Sequence, residues 1–248
     1  WYGYGIGAAG DINGDGIDDL QAGAKYNDQG GHDAGTASLY LGRRAGLPVK
    51  PDWTWLGPGP DANATVRITT AGDVNGDGYA DLLITAPGSR GDNRKAYLFL
   101  GSAKGLASVP DQIIEAPKDA EFFGEGAAPV GDLDGDGYDD VALHMRAMGG
   151  YGEALIYRGG PQGLQATPSW VLRGEQGGDR YAWWLAPAGD VDGDGRPDFA
   201  VSAETHENGA VYLYLGRQFP QALHREGKAK SLRGYLVRRQ RSEKASIH

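Results

Sequence analysis

The stretch "GDVNGDGYADLLI", residues 72–84, places polar side chains at alternate positions and then continues into an apolar run. Counted from Asp73, positions one, three and five are Asp, Asn and Asp, and position nine is Asp81. This alternation of oxygen-bearing side chains around glycine is typical of a loop that wraps a calcium ion. In an EF-hand, position twelve would carry a bidentate Glu, but it holds Ile84 here. The segment is therefore not an EF-hand, and the apolar run predicts a strand after the loop.

The same segment occurs four times in the chain. Its first aspartates are Asp11, Asp73, Asp132 and Asp190, at spacings of 62, 59 and 58 residues. All four copies keep Asp at position nine and an apolar residue at position twelve. Near-equal spacing of this kind predicts a repeat architecture.

Each repeat has the pattern of four short strands separated by glycine-rich turns, and glycine is abundant, with 42 residues among 248. In "AVYLYL", residues 210–215, Val211 and Leu213 point to one face of a strand, whereas Tyr212 and Tyr214 point to the other. Both faces are apolar, so both must be covered by neighbouring sheets. The fold class that this predicts is all-β, a β-propeller of four-stranded antiparallel blades.

The loops have the chemistry that calcium needs, because the ion takes six to eight hard oxygen ligands. Side chains at positions one, three, five and nine and the carbonyl of position seven supply oxygens, and the glycine at position six permits the backbone reversal. Asx-turns without metal are the alternative, but acids crowded this closely repel each other unless a cation lies among them. We therefore predict up to four Ca²⁺ sites, in loops near 11–19, 73–81, 132–140 and 190–198. The predicted ligands are Asp11, Asn13, Asp15, Ile17, Asp19, Asp73, Asn75, Asp77, Tyr79, Asp81, Asp132, Asp134, Asp136, Tyr138, Asp140, Asp190, Asp192, Asp194, Arg196 and Asp198.

Residues 1 to about 216 resemble the FG-GAP repeats of integrin α-subunit propellers and their bacterial or secreted relatives. The "FG" pair is Phe123-Gly124, and the "GAP" element is clearest at Ala86-Pro87. The resemblance implies structural calcium loops on the lower face of the propeller and a ligand face on the opposite side. The ligand-side loops that it implies are 25–35, 87–94, 146–152 and 204–209. Propellers of this family have seven blades, so four repeats indicate an open segment of a ring whose uncovered ends favour self-association. A closed four-bladed ring is the alternative.

Charge is distributed unevenly along the chain. The net charge is −9, and residues 217–248 carry +7, which leaves −16 for residues 1–216. An acidic body argues against nucleic acid as a partner and favours bound cations. No apolar run approaches the length of a membrane span, and the absence of cysteine leaves the redox compartment open. The chain begins at Trp1 without an initiating Met, so we expect its start to be processed or missing.

The basic tail, 217–248, breaks the repeat pattern and leaves the last repeat without a recognisable fourth strand. We expect it to be an atypical, disordered end of chimeric or frameshifted origin. A basic tail that docks on the acidic body is the alternative.

The resemblance and the calcium loops together indicate an extracellular or cell-surface recognition module, not an enzyme, that binds a protein or glycan ligand. The alternative is a propeller domain, catalytic or not, of a secreted enzyme such as a polysaccharide lyase or phospholipase. The upper loops carry only scattered acids and histidines rather than an acid/base cluster, which favours the first interpretation. Arg90-Gly91-Asp92 in the second upper loop spells an adhesive tripeptide, for which a polar hairpin tip is the simpler interpretation.

Overall fold

The computed structural model describes residues 2–88, 94–205 and 209–219, together with the backbone of 230–231 and 235–237. Each repeat folds into a four-stranded antiparallel sheet whose strands follow one another in chain order. The first sheet contains β1 (Gly5–Gly10), β2 (Asp19–Ala24), β3 (Thr36–Tyr40) and β4 (Trp53–Leu56). The second contains β5 (Ile68–Gly72), β6 (Asp81–Ala86), β7 (Lys95–Phe99) and β8 (Gln112–Glu115). The third contains β9 (Ala120–Gly131), β10 (Asp140–Ala147), β11 (Gly152–Tyr157) and β12 (Trp170–Arg173). The fourth begins with β13 (Tyr181–Gly189), β14 (Asp198–Ala203) and β15 (Ala210–Tyr214). The predicted all-β propeller fold, with four blades of four-stranded antiparallel sheet, is confirmed.

The tail supplies the fourth sheet with its last strand. β17 (Tyr235–Val237) pairs antiparallel with β15, and the two-residue β16 (Lys230–Ser231) lies parallel to β12 of the third sheet. The repeat pattern of the sequence does not predict this fourth strand. Without β17, the edge of β15 would present unpaired N–H and C=O groups, and such an edge can accept a short β-prone segment that does not follow the repeat pattern. The remainder of the tail lies outside the described residues, so its expected disorder stays a prediction.

Apolar side chains from facing sheets fill the spaces between neighbouring blades. Leu39 of the first sheet packs with Ile84 and Phe99 of the second. The other face of the second sheet, with Leu83, packs against Leu143 of the third. Side chains that alternate along a strand therefore point into the interfaces on both sides of the sheet, as the pattern in 210–215 predicts.

Contacts between sheets follow chain order. The first strands β1, β5, β9 and β13 contact one another in sequence, which places them nearest the propeller axis. Among the described strands no comparable contact joins the fourth sheet to the first. The outer faces of these two sheets remain partly uncovered, since Ile6 is 67% exposed and Val211 is 44% exposed. Tyr212 is buried against the third sheet, so the uncovered face of the fourth sheet carries Val211 and half-buried Leu213.

The strand order separates two kinds of loop. The acidic loops join the first and second strands of each sheet, and the loops between the second and third strands lie at the opposite end of the blades. Among the residues that the structure describes, no helix has both the length and the apolarity needed to cross a membrane.

Candidate metal centres on one face of the propeller

The four acidic loops adopt one backbone arrangement. In the second loop, Asp73 accepts hydrogen bonds from the amides of Asp77 and Gly78 at 3.0 and 2.8 Å. Asp77 in turn accepts the amide of Tyr79 at 3.0 Å. The same three bonds recur at the equivalent positions of the other loops. The carboxylates at positions one and five are thereby fixed inside each loop.

Glycines make this arrangement possible. Positions four and six have positive φ in all four loops; in the second loop these are Gly76 at 71° and Gly78 at 91°. A side chain would be strained in this left-handed region. The predicted role of the position-six glycine is confirmed, and position four has the same requirement.

The aspartate at position nine lies beneath the loop rather than beside the side chains of positions one, three and five. Asp81 is buried, and its two oxygens accept the amides of Val74 and Gly101 at 2.9 Å each. The other three loops repeat this clamp with Asp19, Asp140 and Asp198. The carboxylate therefore ties the loop to the end of the third strand. Each oxygen keeps a further lone pair, so metal ligation by this residue, and by the position-seven carbonyls, stays a prediction.

Burial dominates the acid–base behaviour of these clamps. Desolvation raises the pKa of Asp81 to about 7, although its two amide donors oppose the shift. Desolvation likewise raises the pKa of Asp140 to about 8, and the charges of Asp134 and Asp136 add to it. A cation in the loop would favour the ionised carboxylates.

The third and fourth loops bring three carboxylates together. Oxygens of Asp132, Asp134 and Asp136 lie within 4.8 Å of one another, as do those of Asp190, Asp192 and Asp194. In the third loop Asp134 is fully buried, and its Oδ2 pairs with Arg158. Hard oxygens at this spacing fit a divalent cation. The acidic groups can therefore hold a metal.

Arginines distinguish these two loops from the first two. Nη2 of Arg158 lies 2.5 Å from carboxylate oxygens of both Asp134 and Asp136. In the fourth loop, Nη1 of Arg217 lies 2.6 Å from Asp192. The first two loops carry Asn at position three, and Asn75 donates to Asp77 at 2.8 Å. The additional negative charge of Asp at position three is thus matched by an arginine, a pairing that the repeat pattern alone did not reveal.

Neighbouring loops are also linked to each other. The ring of Tyr79 lies against Gly14 of the first loop, and that of Tyr138 lies against Gly76 of the second. The amide of Asp139 donates to the carbonyl of Asp73 at 3.0 Å. Position seven of one loop therefore packs on position four of the preceding one, so the loops form a continuous row along this face.

The opposite face carries the loops that the resemblance implies for ligand binding. The Arg90-Gly91-Asp92 tripeptide lies outside the described residues. One group missed by sequence reasoning lies here: the adjacent His32 and Asp33 come together with Asp61, which is 29 residues from His32 in sequence. Nδ1 of His32 lies 3.0 Å from Asp61, and this hydrogen bond raises the histidine pKa.

Comparisons with known proteins agree with the repeat assignment. The profile of the family described as FG-GAP repeat matches residues 65–99 and 181–214. Human integrin alpha-IIb is 38% identical over 152 residues, which cover 56% of this chain and 15% of that protein. Chicken integrin alpha-V is 32% identical over 225 residues, covering 86% of this chain and 21% of that protein. Integrin alpha-PS3 of Drosophila melanogaster is 35% identical over 161 residues, which cover 60% of this chain and 14% of that protein.

The chain thus spans about a fifth or less of the length of these relatives. Its own repeats, the matched profile and the propeller fold nevertheless agree. The chain is a β-propeller built of FG-GAP repeats and is similar to the integrin α-subunits.

Proposed function

We propose that this chain is a calcium-stabilised extracellular recognition module in which the metal ions are structural. The observation that carries the proposal is the row of four congruent acidic loops along one face. The loops are fixed by their own backbone amides and direct carboxylates inward. They take no part in the opposite face, which leaves that face for a protein or glycan ligand.

The calcium ions supply stability by mass action. Extracellular loops of this type bind calcium with a dissociation constant of about 0.1 mM, and each site then contributes roughly 1.4–1.8 kcal/mol at about 1–2 mM calcium. Four sites supply about 6 kcal/mol, which is comparable with the stability of a whole domain. Such sites fill outside the cell, where calcium is abundant, and this supports an extracellular or cell-surface location.

The metal proposal is tested by calorimetric titration of calcium into chelator-treated protein, together with thermal unfolding. We expect up to four calcium equivalents and a higher melting temperature, with magnesium much less effective because it demands stricter octahedral geometry. Asp77→Asn is expected to remove one equivalent. Glu175→Gln deletes the same charge at an exposed position outside the loops and is the matched control. An unchanged melting temperature in excess chelator contradicts the proposal.

The recognition proposal is tested separately with a glycan array and a panel of extracellular-matrix proteins. Turnover assays on any ligand found distinguish binding from catalysis. We expect binding without turnover, because the His32 and Asp61 side chains on this face are largely exposed to solvent. Absence of any ligand in calcium-loaded protein, or turnover of one, contradicts a pure recognition role.

A further inference from the structure

A cleft of about 240 Å³ opens between the third and fourth blades, at the end of the molecule opposite the acidic loops. His144 lies at its base near the end of β10, and Arg146 is two residues further along the same strand. Arg180 and Trp183 line it from the connection into β13 and from that strand. Phe122 at the start of β9 completes the wall. This is the ligand side implied by the family resemblance.

His144 is the unusual residue of this cleft. It is only 1% exposed, and its Nδ1 has no hydrogen-bond partner. Burial, reinforced by the charges of Arg146 and Arg67, lowers the histidine pKa to about 4. The imidazole is therefore neutral at physiological pH, and in the appropriate tautomer its Nδ1–H donates without adding a charge.

The other blades fill the equivalent position differently. Counted from the first aspartate of each loop, His144 corresponds to Gly23, Thr85 and Ser202. The hydroxyl of Thr85 accepts the amide of Arg67 at 3.0 Å, and that of Ser202 accepts the amide of Trp184 at 3.0 Å. Two blades thus use a small hydroxyl that is satisfied within the fold. The third blade replaces it with a larger group whose Nδ1 is left unsatisfied, which has a cost unless a ligand supplies the partner.

The rim of the cleft carries two arginines, each paired with a glutamate. The guanidinium of Arg146 lies 4.1 Å from the ring centroid of Phe122, and its Nε donates to Glu121 at 3.0 Å. The guanidinium of Arg180 lies 5.9 Å from the Trp183 ring, and its Nη1 lies 3.3 Å from Glu204. Each guanidinium has five N–H donors, so both keep donors for a further acceptor.

The aromatic rings do not offer free stacking surfaces. Arg146 covers Phe122, while Trp183 carries Arg180 on its face and meets the imidazole of His144 edge-on at 5.4 Å. A sugar ring needs an uncovered aromatic face, whereas a carboxylate needs convergent N–H donors. The cleft provides the donors.

We propose that this cleft binds an aspartate or glutamate side chain of a protein ligand, with Arg146 and Arg180 holding the carboxylate and His144 donating from beneath. The inference deepens the proposed recognition function and rests on it. It names the chemical class of the ligand and the blades that receive it.

The test uses the calcium-loaded chain with a fluorescein-labelled hexaglutamate peptide and its hexaglutamine counterpart, followed by fluorescence anisotropy. We expect the acidic peptide alone to bind, and added salt to weaken the binding. Arg146→Gln and Arg180→Gln should each reduce affinity about tenfold, the usual loss for one charge-assisted hydrogen bond. Both side chains are at least 41% exposed, so the variants are expected to fold.

Arg43→Gln is the matched control, since Arg43 carries the same charge on an exposed side chain of the first repeat, away from the cleft. Its affinity should equal that of the parent chain. ¹⁵N-histidine NMR supplies a second measurement, because the His144 resonances should shift with hexaglutamate and not with hexaglutamine.

Affinity that stays within about twofold in both cleft variants, with no shift at His144, overturns the assignment of this cleft. Preferential binding of tetragalacturonate over hexaglutamate, lost in the same variants, replaces the protein ligand with an acidic glycan and overturns the proposal as stated. Neither result affects the calcium titration, so failure of this site remains distinguishable from failure of the calcium-stabilised module.

Discussion

Replacing Arg158 with Gln tests whether an arginine and a metal ion neutralise the same carboxylates in the third loop. Arg158 is 12% exposed, and it contacts Asp134 and Asp136 at 2.5 Å. Removing one partner of a buried charge cluster costs about 3–5 kcal/mol. The lower end of this energy range applies here for two reasons. Asp136 is 20% exposed, and burial raises the pKa of Asp134, so that its protonation relieves part of the repulsion between the carboxylates.

The expected loss of unfolding free energy is therefore about 3 kcal/mol in excess chelator. In millimolar calcium the bound ion neutralises the carboxylates in place of the arginine. The expected loss of unfolding free energy is then about 1 kcal/mol, which is the contribution of the hydrogen bonds that the guanidinium made. The difference of about 2 kcal/mol corresponds to about 30-fold tighter calcium binding at the third loop of the variant.

The assay is urea unfolding followed by tryptophan fluorescence, in chelator and in calcium, with calorimetric titration of the metal. Arg43→Gln, at an exposed ion pair with Asp52, is the control and should cost less than about 1 kcal/mol under both conditions. An equal loss with and without calcium for Arg158→Gln refutes the reasoning, because it means that arginine and metal do not share these carboxylates.

Three further outcomes follow from the same structure. Asp77→Ala should lower the free energy of unfolding by about 1–2 kcal/mol, because its hydrogen bonds with Asn75 and Tyr79 are lost. Chemical unfolding measures this loss. Weaker ligand binding by a variant that is still folded in calcium contradicts the assignment of the metal loops and the ligand to opposite faces. Because the pKa of His144 is lowered in the folded chain, the unfolded state takes up a proton first as the pH falls. The free energy of unfolding therefore carries no penalty from His144 above about pH 6.5, and it declines by up to about 3 kcal/mol towards pH 4. Unfolding curves of the parent chain and of His144→Leu at several pH values isolate this decline. If the stability of both proteins changes equally with pH, the prediction is refuted. The uncovered faces at Ile6 and Val211 should cause concentration-dependent association in light scattering, whereas a stable monomer with the first and fourth sheets packed together contradicts an open arc.

The sequence by itself determines the repeat, the blades and the acidic loops. These features depend on short-range patterns: alternation along a strand, glycine where φ is positive, and oxygen-bearing side chains at alternate loop positions. The direction of Tyr212 and Leu213 could be read from such a pattern, and the structure confirms it.

The tertiary structure decides the features that depend on residues brought together from different strands and blades. The clamp of Asp81 uses the amide of Gly101, twenty residues further along the chain. Arg158 reaches the third loop from the end of another strand, and His144 meets Trp183 only because two blades pack together. No local spacing encodes these contacts. The burial that raises the pKa of Asp81 and lowers that of His144 arises only when neighbouring sheets exclude water.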